Sequence, residues 1–129
     1  SNLNMKLLLS ILLLQTFYIM EISAQVIFKP TSATINDTQG SYTSQNFDCV
    51  NMVVSDSKIG VLVSLAGEIM KLSPNYYNND VYICALHQGD AVIKTVAYRS
   101  SILHQIYLIT LTAKQNNQTI TINFKRQEL

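Results

Sequence analysis

Charged residues are scarce in this sequence: they make up 13% of its 129 residues, about half the share usual in soluble domains. The formal net charge is only +1, too small to attract a polyanion through counterion release. We therefore expect no nucleic-acid partner. Hydrophobic residues reach 48%, enough to build a core and to argue against disorder. At this length the chain has room for a single domain.

Cysteine is equally scarce, and the spacings typical of metal sites are missing. There is no C-x-x-C and no H-x-x-x-H, so the sequence predicts neither a metal site nor a cofactor. The two cysteines, Cys49 and Cys84, are both assigned to hydrophobic strands. In an exported protein they can form a disulfide. The alternative is two buried free thiols.

Catalytic motifs are also missing. No G-x-S-x-G is present, and Ser55 and Lys58 match S-x-x-K only within a predicted turn, where that motif lacks its helical geometry. His87 and Asp90 flank a predicted turn and are interpreted as decoration of a hairpin. A small hydrolase built from these two residues and a distant serine is the weakest functional alternative. The sequence thus predicts that the protein is not an enzyme.

The N-terminus has the three parts of a secretory signal. Met5 and Lys6 are followed by an apolar run, residues 7–20, and by small residues at Ser23 and Ala24. The run is shorter than the ~20 residues that a helix needs to span a bilayer. Residues 1–24 are therefore interpreted as a cloning remnant (1–4) plus a signal helix that is removed. We expect a secreted or periplasmic protein without a stable membrane span. The alternative is that residues 7–20 form a buried helix or strand.

Residues 25–129 show short β-rich runs separated by polar turns. Such spacing predicts one small all-β domain, an antiparallel meander that closes into a barrel-like or sandwich structure, with the barrel favoured by the short sequential connections. Pro30 is expected to interrupt the first run. Residues 102–113 also fit one helical face, but their β-branched residues favour a strand. The predicted strands cover 26–28, 31–35, 47–54, 59–63, 65–72, 81–86, 91–98, 102–113 and 119–124.

Residues 73–80 are predicted to form the longest loop, and this loop holds the candidate binding site. Tyr76 and Tyr77 stand together between Asn75 and Asn78. Tyrosines flanked by amides on a loop offer rigid contact area with adaptable hydrogen bonds. The other tyrosines of the domain are interpreted as half-buried strand residues with a wet hydroxyl.

The functional expectation is a non-catalytic binding or interaction module. Its partner would be an unidentified protein, a glycan or a small apolar ligand. Two alternatives remain open: an inhibitor or immunity-type partner of an exported enzyme, and a carrier that holds a small apolar ligand in the barrel. Asn36 and Asn117 begin N-x-T sequons in predicted turns and are expected to be glycosylated if the host is eukaryotic.

Overall fold

Nine antiparallel strands make up residues 25–57 and 60–127, the part of the chain that the computed structural model describes. Every regular element within these residues is a strand, which confirms the all-β prediction. The predicted signal helix, residues 1–24, lies outside the described residues. The strands are β1 Gln25–Asp37, β2 Gly40–Ser44, β3 Met52–Ser57, β4 Gly60–Leu65, β5 Glu68–Asn75, β6 Asn78–Gln88, β7 Ala91–Arg99, β8 Ile106–Gln115 and β9 Gln118–Arg126.

A pairing between the first and last strands closes the sheet into a barrel. Strands β3 to β9 follow one another in sequence order, and β1 pairs with β3 on one side and with β9 on the other. Strand β2 is an addition outside this ring and pairs with the second half of β1. Of the two architectures expected from the sequence, the closed barrel is the one observed. Closure leaves few exposed strand edges, which protects such a sheet from edge-to-edge association.

Strand β1 is long because Pro30 does not end it. The expected interruption is wrong: the register shifts between Pro30 and Ser32, so Thr31 forms a bulge and the strand continues to Asp37. A bulge tolerates proline because the ladder is locally broken there. The Thr31 hydroxyl donates a hydrogen bond to the Asn123 carbonyl across the bulge (3.2 Å). This single strand can therefore pair with β3, β9 and β2.

The core fills the barrel over the length of its shorter strands. Inward-facing residues alternate with outward-facing ones along each strand, as in β9, where Phe124 is fully buried and Lys125 is exposed. The Thr95 hydroxyl is also buried and donates a hydrogen bond to the Met70 sulfur across the interior (3.3 Å). The buried apolar residues are Phe28, Met52, Val54, Val61, Val63, Met70, Leu72, Ala97, Ile106, Ile109 and Phe124.

The two ends of the barrel differ. One end, called the tip end here, holds the β5–β6 turn, the β7–β8 turn and Gln25, the first residue of β1, because turns of an antiparallel meander alternate between ends. The opposite end is called the open end. There the β5–β6 ladder stops at Ser73 and Ile83, although both strands continue further. Strands β6 to β9, β1 and β2 thus extend as a sheet beyond the packed core.

No helix among the described residues is long and apolar enough to cross a membrane.

Candidate binding surface

Tyr76 and Tyr77 form the two-residue turn between β5 and β6. Asn75 pairs directly with Asn78, so the predicted longest loop is instead a tight hairpin, and most of residues 73–80 belong to its strands. Each tyrosine is 91% exposed, and the rings meet edge to face with centroids 5.1 Å apart. This arrangement is one of the preferred geometries of aromatic pairs. The turn therefore presents an aromatic pair to solvent.

The two asparagines hold this turn in place. The Asn75 side-chain oxygen accepts a hydrogen bond from the Tyr77 amide N–H (2.9 Å), and that of Asn78 accepts one from the Asp80 amide (3.0 Å). Such Asx turns replace part of the backbone hydrogen bonding that a strand would supply. Asn75 and Asn78 were predicted together with the tyrosines, and the structure shows how each orients the local backbone.

A second exposed apolar turn lies at the same end. Residues 102–105 were predicted to belong to a strand, which is wrong: β8 begins only at Ile106. Ile102 is 85% and Leu103 69% exposed. The Ser100 carbonyl accepts a hydrogen bond from the His104 amide N–H (2.8 Å), and the Ser100 hydroxyl accepts one from the Leu103 amide N–H (3.2 Å). His104 has a positive φ of 54°. This left-handed conformation is incompatible with an extended strand, so β8 begins after it.

An ion pair fastens the second turn to the barrel. The Arg99 guanidinium donates two hydrogen bonds to the Asp56 carboxylate (2.7 and 2.8 Å) and one to the His104 carbonyl (2.8 Å). Arg99 ends β7 and Asp56 lies in β3, so the pair spans the barrel at its tip end. The hydrogen bond with Asp56 raises the pKa of Arg99. Its guanidinium also lies over the Tyr82 ring, 4.8 Å from the centroid.

We define the tip surface as Tyr76, Tyr77, Ile102 and Leu103. The β5–β6 and β7–β8 turns are separated by two strand spacings, about 10 Å for an ordinary sheet. Hydrogen bonds fix the backbone of both turns. Large apolar side chains on rigid exposed turns are available for contact at little cost in ordering. The tyrosine half of this surface was predicted from the sequence, and the aliphatic half was missed.

The open end carries a different apolar feature. One inward-facing row crosses six strands, each member pairing with the next. The inner members of the row are half-buried, while Leu86 and Tyr42 at its ends are exposed. The row lies beyond the packed core and is therefore the part of the barrel interior that faces the open end. We call it the mouth row: Leu86, Ile93, Ala113, Ile120, Ile35 and Tyr42.

Both cysteines are free and half-buried, and both pack against the core. Cys84 lies in β6, as predicted, but Cys49 lies in the connection between β2 and β3 because β3 begins only at Met52. The predicted strand over residues 47–54 is thus too long at its start. A Cys49–Cys84 disulfide stays a prediction. The mass of the unreduced protein tests it, because the bridge lowers that mass by two hydrogens.

Cys49 is expected to react slowly with iodoacetamide. Burial raises the pKa of its thiol, so less of the reactive thiolate is present at about pH 8 than for an ordinary cysteine. The rate of Cys49 alkylation, measured by peptide mass mapping, should be several-fold lower in the folded protein than in urea. Equal rates in both states would contradict the described burial. The difference should shrink as the pH rises through the raised pKa.

The remaining predicted residues are spread over both ends. His87 lies in β6 and Asp90 in the following turn at the open end, whereas His104 lies at the tip end, so the two histidines are far apart. No group of three or more potential metal ligands occurs among the described residues. Asn117 lies in the exposed β8–β9 turn and Asn36 near the exposed end of β1. Both sequons are therefore at the surface.

Comparison with known proteins yields no relative for this chain. No family model matches it, and neither a curated protein nor a solved structure matches it.

Proposed function

We propose that the protein is a non-catalytic binding domain that contacts its partner through the tip surface. The observation that carries this proposal is the aromatic pair Tyr76 and Tyr77, 91% exposed and held on a rigid two-residue turn. Side chains of this size are normally at least partly buried, and exposed apolar clusters commonly mark interaction sites. The neighbouring turn adds Ile102 and Leu103 to the same end.

The tip surface should be dispensable for folding. We expect the double variant Tyr76→Ala, Tyr77→Ala to unfold within about 0.5 kcal/mol of the wild type, since exposed side chains away from special features contribute little to stability. Urea denaturation followed by circular dichroism measures the difference. A loss of several kcal/mol would show that the pair belongs to the core and would refute the proposal.

Tyr82→Ala is the matched control for this measurement. Tyr82 is half-buried, packs against the core and lies under the Arg99 guanidinium. Truncating it removes buried aromatic area and the cation–π contact, which should cost about 2–3 kcal/mol. A small loss of unfolding free energy in Tyr76→Ala, Tyr77→Ala beside a large loss in Tyr82→Ala would distinguish tyrosines available for contact from a tyrosine that stabilises the fold.

A carrier of a small apolar ligand is the second candidate, and the mouth row favours it. An apolar strip at the mouth of a barrel is where such proteins admit their ligands. Native mass spectrometry of protein purified from its own host tests this role. A mass that exceeds that of the chain and is lost on denaturation would support a carrier. A bare chain would leave the tip surface as the functional site.

A further inference from the structure

We propose that the tip surface inserts into the interfacial layer of an uncharged phospholipid membrane. This inference names a partner for the proposed binding domain and rests on that proposed function. It concerns contact with the headgroup region and involves no membrane span. Two features of the tip surface support it: the chemistry of its side chains and the low charge of its two turns.

The side chains match the membrane interface in kind. Tyrosine is enriched at the headgroup level, because its ring enters the apolar layer while its hydroxyl stays hydrated. Ile102 and Leu103 supply purely aliphatic contact beside the aromatic pair. The two turns are narrow projections about 10 Å apart. A protein partner would need a matching pocket for each projection, whereas a fluid layer adapts to both.

The low charge of the two tip turns favours an uncharged layer. Residues 73–80 and 100–105 contain no lysine or arginine, and their titratable side chains other than tyrosine are Asp80 and His104. Arg99, directly beneath, already donates to the Asp56 carboxylate. Attraction to anionic lipids depends on clusters of exposed basic residues. The two tip turns have none, and the basic residues at the same end, Lys58 between β3 and β4 and Arg126 at the end of β9, lie outside the tip surface. Membrane contact by the tip surface itself should therefore depend on apolar insertion.

Vesicle flotation with the full chain tests the inference. The probe is phosphatidylcholine vesicles, with a parallel set that also contains phosphatidylglycerol. We compare the wild type with Tyr76→Ser, Tyr77→Ser, with Ile102→Ser, Leu103→Ser, and with Val50→Ser as the control. Val50 is 55% exposed and lies in the connection between β2 and β3, outside both the tip surface and the mouth row. Every variant keeps the same residues 1–24, so their contribution to binding is equal throughout, and circular dichroism verifies the fold of each.

We expect the wild type and Val50→Ser to bind phosphatidylcholine vesicles equally, and each tip variant to bind roughly tenfold more weakly, a tenfold change being 1.4 kcal/mol. Added salt should leave wild-type binding unchanged, because exposed charges are the component that salt screens. Absence of wild-type binding, or binding that requires phosphatidylglycerol and is lost in salt, overturns the lipid inference but not the proposed tip-surface function. Equal binding by wild type and tip variants overturns the lipid inference and also counts against the tip surface.

Discussion

Replacing Phe124 with alanine is expected to lower the free energy of unfolding by about 4 kcal/mol, the range measured for buried phenylalanines. Phe124 is fully buried and lies on β9, the strand whose pairing with β1 closes the barrel. It pairs with Ile109 on one side and with Pro30, beside the bulge, on the other. The lost side chain would leave a cavity at the closure, where the bulge limits how far the strands can move together.

Thr121→Ala on the same strand is the control, because Thr121 faces outward. Its replacement changes strand propensity alone and should lower the free energy of unfolding by about 1 kcal/mol or less. Urea denaturation measures both variants. If Phe124→Ala does not fold, Phe124→Leu should still do so, with a loss of about 1–1.5 kcal/mol. A loss below 1 kcal/mol for Phe124→Ala would contradict the closed barrel as the source of the core.

Replacing Arg99 with methionine should cost about 2–3 kcal/mol. The substitution keeps much of the aliphatic volume but removes two hydrogen bonds to Asp56, one to the His104 carbonyl and the contact with Tyr82. Removing one member of a desolvated ion pair leaves the other without its partner, which is the costly outcome. The pair is only partly buried, so the expected cost lies below that of a fully buried one.

A double-mutant cycle with Asp56→Leu gives the control for Arg99→Met. Since the double variant leaves neither charge unpaired, its loss should be smaller than the sum of the two single losses by about 1–2 kcal/mol. Additive losses would show that the two side chains do not interact in solution. Amide hydrogen exchange at residues 100–105 should also rise in Arg99→Met, because the His104 carbonyl loses its anchor.

The alternation of residue types made the strands predictable, most clearly at residues 119–124, where β9 has its inward residues at Ile120, Ile122 and Phe124. The order of strands followed from short connections. The continuity of β1 did not, because a bulge at Thr31 depends on pairing with a strand about ninety positions away. The sequence predicted that Pro30 interrupts the strand, which is its usual local effect. The pairing of β1 with β9 overrides that effect.

The tip surface was half predictable. Tyr76 and Tyr77 stood out because they are adjacent and flanked by amides, although the absence of glycine concealed the tight turn between them. Ile102 and Leu103 were absorbed into a strand because they are apolar. The signal that could have separated them is the polar residues on both sides, Ser100 and Ser101 before and His104 and Gln105 after, which break the alternation of β8.

The mouth row was invisible in the sequence. Its members are separated by up to eighty-five positions, from Ile35 to Ile120, and only the strand registers bring them into one line. A register shift of one residue would move each of them to the opposite face of the sheet. No local pattern contains that information.

The most direct test of the tip surface as the binding site is an NMR titration of the 15N-labelled protein with dodecylphosphocholine micelles. The probe offers a zwitterionic headgroup to the tip surface and a single alkyl chain to the mouth row. We predict that amide shift changes concentrate at residues 75–78 and 100–105 and are lost in Tyr76→Ser, Tyr77→Ser. Changes concentrated at Leu86, Ile93, Ile120 and Ile35 would contradict the tip surface and make this barrel a carrier instead.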